Sequence, residues 1–296
     1  MSRIRIPRAL RLIAAAVLTA AVSFAQPNVP AVSITPAAIV AGSPELIRVD
    51  APATAILGGE LFGQKLEFFR GENEKNWYAF AGVDVEAAPG PSTLAIHARL
   101  ANGQTRDLSR PVTILPAHYR TAELSVAPRF IQPNPAQLKQ IEFEIALKKK
   151  IFAVSVPRPL WSGDFHAPVR ATPTASFGAR RTFNGKLASV HKGMDFRARM
   201  GTPVHASNSG VVVLAERLYF EGNCVAIDHG MGLYTIAMHL SKIDVHDGER
   251  VSKGQLLGLS GATGRVTGPH LHWAVRWDNA YLDPAKLLRM NLADVR

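Results

Sequence analysis

The chain has 296 residues, 47% of them hydrophobic, and a formal net charge of +11. That length leaves room for two domains with real cores. A single cysteine, Cys224, excludes a disulfide-stapled fold, and dispersed basic residues without a reader motif argue against nucleic acid as a partner.

Residues 1–25 read as an export signal. Arg3, Arg5, Arg8 and Arg11 form a positive head, Leu12 to Val22 is an apolar run too short to span a bilayer comfortably, and Ala21-Val22-Ser23-Phe24-Ala25 ends in the small residues a signal peptidase reads. Cleavage is expected after Ala25, placing the mature protein in the periplasm or in the cell wall or extracellular space. No later stretch is apolar and long enough to cross a membrane, so no integral membrane segment is expected after cleavage.

Residues 26–117 read as an all-β unit. Short runs such as Leu46 to Val49, Trp77 to Val85 and Ser92 to Leu100 are separated by turn signals at Gly58-Gly59, Pro89-Gly90-Pro91 and Asn102-Gly103. The spacing predicts an immunoglobulin-like β-sandwich, with a hairpin at Asn102-Gly103. Nothing in this unit has the look of a reaction site, and it is expected to act as a spacer or docking module. Residues 118–158 form a connector: Pro128, Pro133 and Pro135 break regular structure, and a helix is expected over Ala136 to Lys150, opened by Pro135, with Leu138, Ile141, Ile145 and Leu147 on its buried side.

From residue 159 to 296 the composition shifts again, and eight of the ten histidines lie here. Runs at Gly210 to Ala215, Asn223 to Asp228, Leu233 to His239 and His270 to Arg276 predict a second, mostly antiparallel β domain that folds without the front unit. Cys224 reads as a buried small hydrophobe.

The stretch Gly261 to Trp273 ends in His270-Leu271-His272, whose imidazoles leave one face of a strand. His191-Lys192-Gly193-Met194-Asp195 places an imidazole and a carboxylate four apart, again on one face if the segment is a strand, with Gly193 allowing a close approach. Imidazole and carboxylate are ordinary zinc ligands, and a catalytic site needs three of them plus an open position. With His272, the pair His191 and Asp195 reaches that count. His239 closes an apolar run and says little alone.

Taken together, His-x-x-x-Asp at 191–195, His239-Leu240 and Gly-x-Thr-Gly-x-x-Thr-Gly-Pro-His-Leu-His at 261–272 resemble the lysostaphin-type, or LytM-like, zinc metallopeptidases that cut bacterial cell-wall peptides. The resemblance covers residues 159 to about 290. It implies an all-β fold with a C-terminal LytM-like antiparallel β-sheet domain around a zinc-containing groove, behind the immunoglobulin-like sandwich and short helical connector. It also implies one Zn2+ per chain on His191, Asp195 and His272, catalytic roles for His239 and His270, peptidoglycan peptide as substrate, and Asn184 and Thr267 as substrate-contact candidates. The activity implied is that of a zinc metalloendopeptidase. The alternatives are a non-catalytic LytM-like regulator of cell-wall amidases, in which ligands would be lost, and a wall-binding module with a closed metal site.

Two positions depart from the family pattern. Ala237 stands where relatives carry an aromatic residue, which predicts a wider groove wall, and no tyrosine precedes the first ligand between Tyr119 and Tyr219. His229 reads as structural beside Asp228, and His166, His205 and His246 as surface or loop residues.

Overall fold

The structure, a computed structural model, describes residues 31–71, 74, 76–174, 177–183, 185, 187–293 and 295. The export signal, its cleavage site and Asn184 lie outside the described residues.

The front unit consists of two four-stranded antiparallel sheets. One orders Val32–Thr35, Pro44–Val49, Trp77–Gly82 and Phe69–Arg70; the other orders Gln64–Leu66, Ile56–Leu61, Gly90–Arg99 and Thr105–Ile114. The hairpin at Asn102-Gly103 forms as the sequence predicts, with Gly103 at φ 81°. Gly58-Gly59 is not a turn. Both lie within strand Ile56–Leu61, and a Cβ on Gly59 would stand 2.6 Å from the Ala95 carbonyl, so glycine here lets two strands approach.

In the connector, helix Pro135–Ile151 begins on a reciprocal cap: Asn134 Oδ1 accepts the Gln137 N–H, and Gln137 Oε1 accepts the Asn134 N–H, each at 2.9 Å. The expected apolar side is not buried. Leu138 is 47% and Ile145 58% exposed, while the buried residue of the helix is Glu144. Apolar contact comes from its last turn, where Leu147, Ile151 and Phe152 pack on Tyr234, Ile236 and Ala274. An unforeseen strand, Thr121–Leu124, pairs in parallel with Arg180–Phe183.

The C-terminal unit is built on an antiparallel sheet ordered Met194–Phe196, Leu271–Trp277, Leu233–Leu240, Gly222–Asp228, Gly210–Leu218 and Arg250–Val251, with Ala280–Leu282 also paired to Leu271–Trp277. Alternation divides the second of these strands: Leu271, Trp273, Val275 and Trp277 enter the main core, and His272 and Ala274 face the other side. The core continues into the front unit. Trp161 is fully buried, edge-on to Phe69 at 5.6 Å and near Phe80 at 6.4 Å. Main-chain bonds cross the same junction, from Val85 N–H to Tyr281 O at 3.1 Å and from Asp283 N–H to Gly42 O at 2.7 Å. The expected self-sufficiency of residues 159–296 therefore meets a packed junction rather than a bare linker.

Candidate metal centre and its groove

Asp195 stands in strand Met194–Phe196, directly opposite His272. His191 is not on that strand, so the shared-face argument for the pair does not describe how they meet. Its main chain is tied to another segment, with its N–H on Ala179 O at 2.9 Å and its carbonyl accepting the Gly178 N–H at 2.8 Å. Gly193 brings the two segments together: a Cβ there would lie 2.4 Å from His272 Nε2.

The three candidate ligand atoms form a small triangle. His191 Nε2 and His272 Nδ1 are 2.8 Å apart, and each is 3.0 Å from Asp195 Oδ1. Ligand atoms on a tetrahedral zinc at about 2.0–2.1 Å would stand roughly 3.3 Å from one another. A proton inventory points the same way. If both rings donated to the carboxylate, two N–H groups would face each other at 2.8 Å. One cation at the centre satisfies all three atoms, so the donor set fits zinc. Among the described residues these three form the group able to hold a metal ion.

The electrostatics agree. Burial alone would raise the Asp195 carboxyl, but hydrogen bonds from His191 and His272 outweigh it and hold the group far below the usual carboxylate range. Burial pushes His191 down to about 4, keeping a lone pair available. The outer oxygen of Asp195 accepts from Arg181 at 2.9 Å, which fixes the carboxylate with Oδ1 turned inward.

Two further rings stand beside the triangle. His239 Nδ1 lies 2.9 Å from the Thr263 carbonyl and His270 Nδ1 lies 2.8 Å from the Gly268 carbonyl. A carbonyl only accepts, so both Nδ1 atoms carry a proton, and in the neutral form of either ring the lone pair is on Nε2. His270 Nε2 is 3.8 Å from Asp195 Oδ1, and the rings of His239 and His270 are 5.0 Å apart. Burial, then the neighbouring charges of His272 and His270, lowers His239 to about 3.

The groove around these residues encloses about 1010 Å3 and draws its walls from the whole chain: Glu86 from the front unit, Leu124 and Val126 from the connector, and Phe183, Arg265, Thr267 and Tyr281 from the C-terminal unit. Thr267, a substrate-contact candidate from the sequence, lines this groove. Ala237 does not widen the wall. It is 3% exposed and pairs with Trp273 in the core, and Met238 lines the groove instead. The cause is the left-handed backbone of His239, φ 64°, which breaks the two-residue alternation. The groove also has a tyrosine, Tyr281, supplied after the ligands rather than before them.

Sequence reasoning missed Arg181, one of two adjacent arginines with no diagnostic spacing, and Thr263, which acts through its carbonyl. His229 is structural as expected: it is fully buried, bonded to Ser209 O and Thr235 Oγ1 at 2.8 Å each, and burial lowers it to about 4. Cys224 is buried.

Residues 189–284 match the peptidase family M23. The chain is 52% identical over 88 residues to the peptidoglycan DD-endopeptidase ShyA of Vibrio cholerae, a match covering 30% of this chain and 20% of that one. It is 40% identical over 98 residues to the DD-carboxypeptidase/endopeptidase Mpg of Neisseria meningitidis, covering 33% and 23%. The chain thus spans about a fifth of the length of these curated relatives. A crystal structure of a peptidase M23 from Pseudomonas aeruginosa superimposes with a TM-score of 0.64 at 29% identity, over 84% of this chain and 94% of that one, so the likeness extends well beyond the matched segment. By residues 189–284, the chain belongs to peptidase family M23.

Proposed function

We propose that this protein is an exported zinc metalloendopeptidase that hydrolyses peptide cross-links of bacterial peptidoglycan. The observation that carries the reading is the joint arrangement of the metal triangle and two flanking histidines anchored through Nδ1 on backbone carbonyls, set in one groove. The endopeptidase names of the matching relatives support the substrate class.

His191 Nε2, Asp195 Oδ1 and His272 Nδ1 would hold the ion. Zinc, when bound, supplies Lewis acidity and brings the acidity of a coordinated water toward neutral pH. The chain's own part is proton handling. Either His239 or His270 accepts the water proton at Nε2, while its Nδ1–H stays anchored on a backbone carbonyl, and the same ring then passes the proton to the leaving amine. The other ring, entering the reaction with a proton taken from solvent on Nε2 and keeping it throughout, donates that N–H to the carbonyl oxygen as negative charge develops there. Arg181 keeps the carboxylate turned and Thr267 stands ready for the substrate main chain. The front unit, which we read as an immunoglobulin-like sandwich, contributes Glu86 to the wall. A non-catalytic regulator would be expected to have lost members of this set, and all five are in place.

The test is digestion of purified peptidoglycan by the mature protein, with and without chelator, followed by mass analysis of the fragments. Chelator-sensitive release of peptide-cleaved fragments supports the reading. Intact wall, or cleavage confined to glycan bonds, overturns it.

A further inference from the structure

Helix Pro135–Ile151 is fastened to the C-terminal unit by charge as well as by apolar packing. Its buried Glu144 accepts the Tyr219 N–H with both carboxylate oxygens, at 3.0 and 2.9 Å, and is itself steadied by Gln140 Nε2 at 2.8 Å. One turn later, Lys148 forms an ion pair with Glu221, the two side chains 25% and 15% exposed. Both contacts reach the short turn between strands Gly210–Leu218 and Gly222–Asp228. The connector grips that turn from a second side as well: Tyr219 Oη donates to Arg129 O at 2.6 Å, and the Phe130 ring meets that of Tyr219 at 5.4 Å.

The clasped turn leads into the groove. The Glu221 carbonyl accepts the His239 N–H at 2.8 Å, and the Phe220 carbonyl accepts the Arg265 N–H at 2.8 Å, which ties in the segment whose Thr263 carbonyl anchors the His239 ring. His239 is thereby held on both its main chain and its ring, in a left-handed conformation that a non-glycine residue keeps only when its surroundings impose it. Neither Glu144 nor Lys148 lines the groove.

We propose that the connector helix is a positioning element of the reaction site: Glu144 and Lys148 fix the Tyr219–Gly222 turn, and through the Glu221 carbonyl they set the placement of His239. The kinetic part of this inference rests on the peptidase reading; the structural part does not.

The experiment uses the mature protein and the variants Lys148→Met, Glu144→Gln and Lys148→Arg. It reads zinc per chain, kcat and KM on peptidoglycan, and hydrogen exchange at the His239 amide by NMR. In Lys148→Met and Glu144→Gln the His239 amide should exchange faster than in the parent, and kcat should fall about ten- to a hundredfold, as for a misplaced reacting group, with zinc retained and KM changed by less than about threefold. Lys148→Arg should recover both readouts. If Lys148→Met does not fold, Glu144→Gln, which keeps the side chain's shape, decides alone. Parent-like exchange and turnover in the folded variants, or a fall in kcat with the amide still protected, overturns the proposal. If the parent itself cuts no wall, the peptidase reading fails, and amide exchange alone decides the coupling.

Discussion

A histidine at φ 64° is uncommon, because a left-handed backbone crowds Cβ against the following carbonyl. Asparagine tolerates that conformation, so His239→Asn should fold and keep its metal while turnover falls about a hundredfold or more, the scale of losing acid–base help. Zinc content beside wall-digestion rate checks this; an active His239→Asn would remove the ring from the reaction. Gly193→Ala should do the opposite kind of damage. Its methyl would meet His272 Nε2 and the Trp273 carbonyl, so metal affinity should drop together with activity. Glu45 gives a stability signature instead. It is fully buried beside the Ser43 hydroxyl, one carboxylate oxygen has no partner, and burial raises its pKa to about 8. The folded value lies above the unfolded one, so the stability contributed by the protonated group is complete below about pH 4.5 and is lost as pH rises through about 8. Thermal unfolding from pH 5 to 9 should therefore decline more steeply in the parent than in Glu45→Gln; parallel curves would show that Glu45 carries no proton in the fold. At this scale the sequence was readable where ligand types sit in a spaced motif, as for His191, Asp195 and His272, which the fold brings together. It was unreadable where one residue inverts the local geometry, which is why Ala237 and Met238 exchanged places, and where a contact is made by backbone, as at Thr263.

At the level of elements, four strands of the main C-terminal sheet, Gly210–Leu218, Gly222–Asp228, Leu233–Leu240 and Leu271–Trp277, were legible because each is an apolar run buried against the core, whereas the short Arg250–Val251 and Ala280–Leu282 were not. Thr121–Leu124 was not, since its partner Arg180–Phe183 is distant in sequence and both strands are short and polar-rich. The connector helix was legible in extent, through Pro135 and its cap, but not in orientation: periodicity assumes an apolar stripe, and this helix is held largely by Glu144, Lys148 and its last turn. Trp161 shows what the junction is worth. It is sealed between the two units, and Trp161→Ala should destabilise the protein by roughly 3–5 kcal/mol, the usual range for removing a large buried aromatic. Chemical denaturation measures it; a loss below about 1 kcal/mol would mean that the junction is loosely packed.

For the whole molecule, that junction bears on how much of the chain is needed. A protein beginning at residue 155 would uncover Trp161 and the Leu282 side of the core, and it should be less soluble than the mature chain; equal solubility and melting would show that the front unit is a spacer after all. Groove walls from three parts of the chain fit a protein in which the front unit helps shape the reaction site. The central claim is the division of labour among the five groove residues. Its most direct test is zinc per chain, measured with wall-digestion rate, in His272→Ala and His270→Ala. His272→Ala should lose metal and activity together, and His270→Ala should keep most of its zinc while turnover falls by about a hundredfold or more. A metal-free His270→Ala beside a metallated His272→Ala would reverse the ligand assignment, and full activity in both would contradict the metallopeptidase account itself.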